Sequence, residues 1–150
     1  MLYSRFGGPD RRAEMSRKVK ECGGELLSII ARSASVGRYG TRIEPGVSIL
    51  TQAIITSDVV IGEGTLINKA VVIGHDVTIG QYCEIAPGAR IMDRSRIGDF
   101  TEIGANAVIL PDTVIGSYCR VDAGSVLRNT VLDCSIVLSV PPTVFHPTYP

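Results

Sequence analysis

Residues 61–80 read IGEGTLINKAVVIGHDVTIG, with Ile61, Ile67, Ile73 and Ile79 each six residues after the last. Outward from this stretch the register does not break: thirteen isoleucines keep it from Ile43 to Ile115, and Val121 and Leu127 continue it. Two positions earlier stands a small or β-branched side chain: Val47, Ala53, Val59, Thr65, Val71, Val77, Cys83, Ala89, Ser95, Thr101, Ala107, Thr113, Cys119 and Ser125. Both kinds of position must face a narrow interior. A period of six fits neither the 3.6-residue turn of a helix nor the alternation of a flat sheet; it is the signature of hexapeptide solenoid repeats, in which short strands wind into stacked coils. The expected fold is an all-β, left-handed parallel β-helix of about five coils, capped by a short N-terminal helix and strand.

Three hexads make one triangular coil, so residues eighteen apart, such as Ile61, Ile79, Ile97 and Ile115, fall in one column. Glycine follows the hexad isoleucine at Gly62, Gly74, Gly80, Gly98, Gly104 and Gly116, which suggests corners with unusual backbone angles. A β-sandwich would instead need turn signals at intervals of about eight to twelve residues and strands of varied length.

Fifteen basic and fifteen acidic residues leave no net charge to draw the chain of 150 residues to nucleic acid or to a membrane surface. No apolar run is long enough to span a bilayer, and the start MLYSRFGGPDRR lacks the apolar core of a signal peptide, so a cytoplasmic location is expected. Cys83 and Cys119 stand at inward positions two coils apart, roughly 9 to 10 Å at strand spacing, too far for a disulfide. Cys22 and Cys134 lie outside the register, and no cysteine pair has zinc-knuckle spacing, so no metal is expected.

Residues 1–30 read as an appendage and 31–150 as the solenoid with an irregular tail. Pro9 to Cys22 is a charged stretch with Met15, Val19 and Cys22 on one face, stopped by Gly23 and Gly24, as a short amphipathic helix requires. The apolar ELLSII of residues 25–30 is expected to plug the open end of the coil, because end repeats need covering. At the other end Asp133 falls on the next hexad position and breaks the series, leaving SIVLSVPPTVFHPTYP as a final turn and tail.

Core positions serve folding in any such chain, so function must lie with outward residues. His75 stands two after a core isoleucine, where other hexads carry Thr51, Glu63, Lys69, Gln81 or Asp99, and therefore points outward. Asp76 follows it at once, a carboxylate able to fix the tautomer of the ring or raise its basicity, as a general base needs. Flat solenoid faces offer little concavity, so a deep pocket is expected between subunits.

These words, IN at Ile67-Asn68, the pair His75-Asp76, then IG, then IAPGA from Ile85 to Ala89, resemble the hexapeptide-repeat acyltransferases, in particular the sugar O- and N-acetyltransferases of the sialic-acid O-acetyltransferase type. The resemblance covers roughly residues 9–130, Pro9 to Ile30 being similar to the last piece of the nucleotide-sugar domain that precedes the coils in that family. It implies a homotrimer that moves acetyl from acetyl-CoA, without a metal, to an amine or hydroxyl of a small-molecule sugar. His75 would be the base, Asp76 its partner, Asn68 and Glu84 acceptor contacts, and Asp93, Gly104 and Ala105 contacts of the CoA.

The chain departs from the family pattern at named positions. Glu84 stands where a second histidine is common, and Asp93 where a glycine brings its N–H to the thioester oxygen. Phe145-His146-Pro147 stands near the place of a glycine-proline-alanine ending, and most of the nucleotide-sugar domain has no counterpart. These departures keep a second reading open, a diverged trimeric scaffold or binding module. Solenoid carbonic anhydrases need three histidines on one zinc, against His75 and His146 here. Acyltransferases that take an acyl carrier protein are longer and carry a C-terminal helical domain.

Overall fold

The structure, a computed structural model, describes residues 8–139. Each hexad yields one two-residue strand, and eighteen such strands form three wholly parallel sheets of seven, six and five. They wind as a left-handed β-helix of about six turns, one more than the sequence suggests. The register is the eighteen-residue spacing itself: Ile61 pairs with Ile79, Ile79 with Ile97, and Ile97 with Ile115. The first sheet carries the column Ile49, Ile67, Ile85, Ile103 and Val121, the second Ile55, Ile73, Ile91, Ile109 and Leu127, and the third the Ile61 column. From Ile49 to Ile115 every hexad isoleucine is at most 2% exposed. Each such burial contributes about 1.5–3 kcal/mol, which is how strands of two residues hold together at all.

Inside the corner that leads from the third sheet back to the first runs a polar ladder. Thr65 Oγ1 donates to the Gly80 carbonyl at 2.8 Å and accepts the Cys83 N–H at 2.9 Å. Thr101 repeats this with the Gly116 carbonyl at 2.8 Å and the Cys119 N–H at 3.1 Å. The thiols of Cys83 and Cys119 point to the carbonyls of Gly98 and Leu132, each at 3.0 Å. Burial pushes the Cys83 thiol up to about 12, so it is an inert core group. All four cysteines are free.

The glycines after the hexad isoleucine do not serve unusual angles. Left-handed φ falls two residues later, and among the described residues eleven other than glycine adopt it, Ala70, Asp76, Tyr82, Arg94 and Phe100 being five of them. The N–H of such a residue bonds a carbonyl of the previous coil, as Tyr82 to Glu63 at 2.7 Å and Arg94 to His75 at 2.9 Å, which offsets a strain of about 1–2 kcal/mol. The glycines are there for close approach: a Cβ at Gly62 would lie 2.5 Å from the carbonyl carbon of Gly80, and one at Gly98 2.5 Å from the nitrogen of Ser117. Stacking distance, rather than conformational freedom, selects glycine at these two corners.

The two ends differ from the sequence expectation. Helix α1, Pro9–Glu21, starts on proline and closes with Gly23 at φ 76, Gly23 N–H bonding Lys20 and Gly24 N–H bonding Val19. It docks through Arg12, Ser16 and Lys20, whereas Met15 is 53% and Val19 38% exposed. The solenoid beneath it offers carbonyls and carboxylates, so a polar face wins over the apolar one. The ELLSII stretch is no plug: Leu27 is 80% and Ile29 65% exposed, and strand Ile29–Ile30 covers the end by backbone pairing with Ser48–Ile49. At the far end the series shifts rather than breaks. Val131 takes the place beside Ile115, and strand Ile136–Val137 pairs with Arg120–Val121. The Phe145-His146-Pro147 segment lies outside the described residues.

Candidate functional site

Three edges separate the sheets, and His75 stands on the second edge, in the turn between strands Val72–Ile73 and Thr78–Ile79. Its side chain is 45% exposed. Nδ1 lies 2.6 Å from Asp76 Oδ2, a contact that the left-handed backbone of Asp76, φ 57, accompanies. One coil on, Asp93 meets the same residue twice. Its Oδ1 accepts the His75 backbone N–H at 3.3 Å, and its Oδ2 lies 3.3 Å from His75 Nε2. A Cβ at Gly74 would overlap Asp93 Oδ1, so that glycine makes room for the carboxylate. The Asp76 hydrogen bond raises the imidazole above its ordinary 6.5; partial desolvation opposes it, Asp93 adds to it, and Arg94 works against it. Arg94 itself is committed to Asp112 by two bonds, of 2.7 and 2.9 Å.

The backbone N–H of Asp93 donates to nothing among the described residues. The next residue in its column is Pro111, which offers no side-chain acceptor. An unpaired donor thus sits one coil from an imidazole already held in orientation. Such a pair can accept a proton and steady a developing oxyanion.

The other residues that the sequence singles out lie elsewhere on the subunit. Asn68, Gly104 and Ala105 are on the first edge, where Asn68 Oδ1 accepts the Lys69 N–H at 2.9 Å. Glu84 points outward from the first sheet and is held at 3.1 Å by Arg12, which also donates to the carbonyls of Gly64, Tyr82 and Cys83. Glu84, Glu102, Gly104, Ala105 and Arg120 share a groove of about 270 Å³. His75, Asp76 and Asp93 therefore form one group, and Glu84, Gly104 and Ala105 another across the body of the prism.

Residues 49–137 match the GMPPB C-terminal domain family. The chain belongs to that family. In structure this GMPPB C-terminal domain member resembles sugar N-acetyltransferases of the hexapeptide-repeat type. Perosamine N-acetyltransferase from Caulobacter crescentus, in a histidine-to-asparagine variant with CoA and GDP-perosamine, matches at TM-score 0.87 and 26% identity over 95% of this chain and 67% of that one. PerB from the same organism, with CoA and GDP-perosamine, matches at 0.85 and 27% over 87% and 63%. The acetyltransferase domain of PglB from Neisseria gonorrhoeae, with acetyl coenzyme A, matches at 0.84 and 25% over 87% and 63%. The chain thus spans between 63% and 67% of these three relatives. No curated protein sequence matches significantly.

Within this GMPPB C-terminal domain member, sequence reasoning missed Arg12, Arg94 and Pro111. Arg12 carried no signal, since its partners lie more than fifty residues away. Pro111 did carry one: it stands two after a hexad isoleucine in the column of His75 and Asp93, and a proline there offers the neighbouring N–H no side-chain acceptor.

Proposed function

We propose that the chain is an acetyl-CoA-dependent sugar acetyltransferase with His75 as general base. The observation that carries this reading is the second edge itself, an imidazole oriented by Asp76 beside the unpaired N–H of Asp93. Solved relatives with CoA, acetyl coenzyme A and GDP-perosamine support the choice of donor and of a sugar acceptor. His75 Nε2 takes the proton of the acceptor amine or hydroxyl, which attacks the thioester carbonyl carbon. The Asp93 N–H steadies the oxyanion; the C–S bond then breaks and the CoA thiolate leaves with the imidazolium proton. Base catalysis of this kind contributes about 10² to 10⁴ in rate.

One subunit does not bring its groups together, because Glu84 sits on the first sheet and Gly104 and Ala105 on the first edge. A homotrimer resolves this by setting the His75 edge of one copy against the groove of the next, where the CoA would lie. No helix among the described residues is long and apolar enough to cross a membrane. The proposed enzyme is cytoplasmic and acts on a small-molecule sugar. The scaffold reading keeps one specific support, the Asp93 carboxylate 3.3 Å from the nitrogen that must accept the proton. Calorimetric titration with acetyl-CoA separates the two readings. Micromolar binding near one site per subunit supports the enzyme, and no binding at millimolar CoA leaves the scaffold.

A further inference from the structure

Asp93 is built into the second edge from both sides. Its Oδ1 is anchored on the His75 backbone N–H, which leaves Oδ2 aimed at the imidazole Nε2, 3.3 Å away. The side chain is 33% exposed, so an acceptor atom that reaches Nε2 also reaches Oδ2. Around it stand Asp76, on the other ring nitrogen, and Arg94, whose guanidinium is bound at both ends by Asp112. The space in front of His75 thus presents a carboxylate that, among the described residues, has no ion-pair partner but the imidazole when protonated, Arg94 acting on it only at a distance.

We propose that Asp93 is the acceptor-selecting residue of this site, its carboxylate holding a protonated amine against His75 and so committing the transfer to amine rather than hydroxyl acceptors. The inference rests on the acetyltransferase reading above. A neutral hydroxyl must strip water from the carboxylate without bringing a charge to it, whereas an ammonium makes a charge-assisted hydrogen bond there. The ammonium also replaces the imidazolium as partner of Asp93, which releases Nε2 in its neutral form. The steps balance: R–NH₃⁺ binds Asp93 and His75 loses its proton to solvent. Nε2 then takes a proton from the ammonium, the amine attacks the thioester carbonyl carbon, the C–N bond forms and the C–S bond breaks. The CoA thiolate leaves with the imidazolium proton, Nε2 takes the second proton from the nitrogen, and the net products are the amide, free CoA and one proton.

The test compares UDP-glucosamine with UDP-glucose, which differ at one amine or hydroxyl, as acceptors for the full chain and for Asp93→Asn and Asp93→Glu. The isosteric Asp93→Asn keeps an oxygen for the His75 N–H, and its melting temperature shows that the fold is intact. With acetyl-CoA the intact chain should favour the amine by about 10- to 100-fold in kcat/KM, and Asp93→Asn should collapse that ratio mainly through KM, with Asp93→Glu restoring part of it. A hydroxyl preference, or an unchanged ratio in Asp93→Asn, overturns the proposal.

Should neither acceptor turn over, the His75 ring resonances decide without catalysis, assigned against His146 by the His75→Asn variant. UDP-glucosamine should lower the pH at which His75 deprotonates in the intact chain but not in Asp93→Asn, while UDP-glucose should do so in neither. No difference between the two probes overturns the role of Asp93. If acetyl-CoA fails to bind while the resonances respond, the acetyltransferase reading alone falls and the ammonium site stands.

Discussion

The second and third edges of the prism have the same backbone geometry and opposite uses. On the third edge three successive corner N–H groups are each received by a side chain one coil on: Gln81 by Asp99 at 2.9 Å, Asp99 by Ser117 at 3.1 Å, and Ser117 by Asp133 at 2.8 Å. Beside this ladder Tyr82, Phe100 and Tyr118 stack with centroids 5.4 and 5.1 Å apart, Tyr82 bonds Glu63, and Lys20 of α1 closes over Glu63. On the second edge the same ladder starts, His75 to Asp93, and stops at Pro111. Self-pairing makes an edge structural, and interruption leaves it a donor and a base. In a fold whose core repeats without variation, the end of an outward ladder is where the proposed chemistry has groups to use.

The largest expected effect breaks the second edge. His75→Asn should lower acetyl transfer by about 10² to 10⁴ while leaving thermal unfolding nearly unchanged, because the ring is half exposed and holds no packing together. Parallel kcat/KM and melting measurements check this, and a variant that unfolds would make His75 structural. Because the imidazole pKa is raised, the neutral base accumulates only at higher pH, so kcat/KM should climb with pH to beyond the ordinary 6.5 of histidine. The sign for stability is the reverse. The pairing helps the fold fully below 6.5 and is lost as pH rises through the raised value.

Next comes the core that both edges share. Ile79→Ala, in the middle of the stack, should cost about 2–5 kcal/mol in urea unfolding through lost burial and a cavity. On the third edge Thr101→Val keeps the volume but strands the Gly116 carbonyl and the Cys119 N–H, an expected loss of about 1–3 kcal/mol with acetyl transfer intact. Equal losses of activity from Thr101→Val and His75→Asn would erase the distinction between the two edges.

Period and chemistry were legible to different depths. The isoleucine register was readable because a column needs only identity at a fixed spacing, and His75 was readable as outward because its position in the hexad fixes its direction. What escaped depends on contacts one coil away. Gly62 and Gly98 answer to the backbone eighteen residues on, so their φ could not be guessed from the corner alone. Val131 replaces Asp133 in the third column because two residues are missing from the turn before it, and a strict count of six runs past that shift. Arg12 reaches Glu84 across seventy-two residues, and no local pattern announces such a contact.

The finest test rebuilds one edge in the image of the other. Pro111→Ser places on the second edge the residue type that caps Asp99 on the third, where Ser117 Oγ accepts the N–H at 3.1 Å. The serine hydroxyl should then receive the Asp93 N–H and compete with the oxyanion for it. Removal of an oxyanion donor costs about 10² to 10³ in kcat, and a hydroxyl that competes for the donor without abolishing it should cost less, about tenfold. Stability should move little. The lost proline constraint costs about 0.4–1 kcal/mol through the unfolded chain, and the new hydrogen bond returns about 0.5–1.5 kcal/mol. A fall in kcat at unchanged KM and unchanged melting temperature would identify the unpaired N–H as the functional feature of the edge. An unchanged kcat, with the same variant's amide newly protected from hydrogen exchange at Asp93, would show the donor to be idle, and the chemistry would then rest on His75 alone.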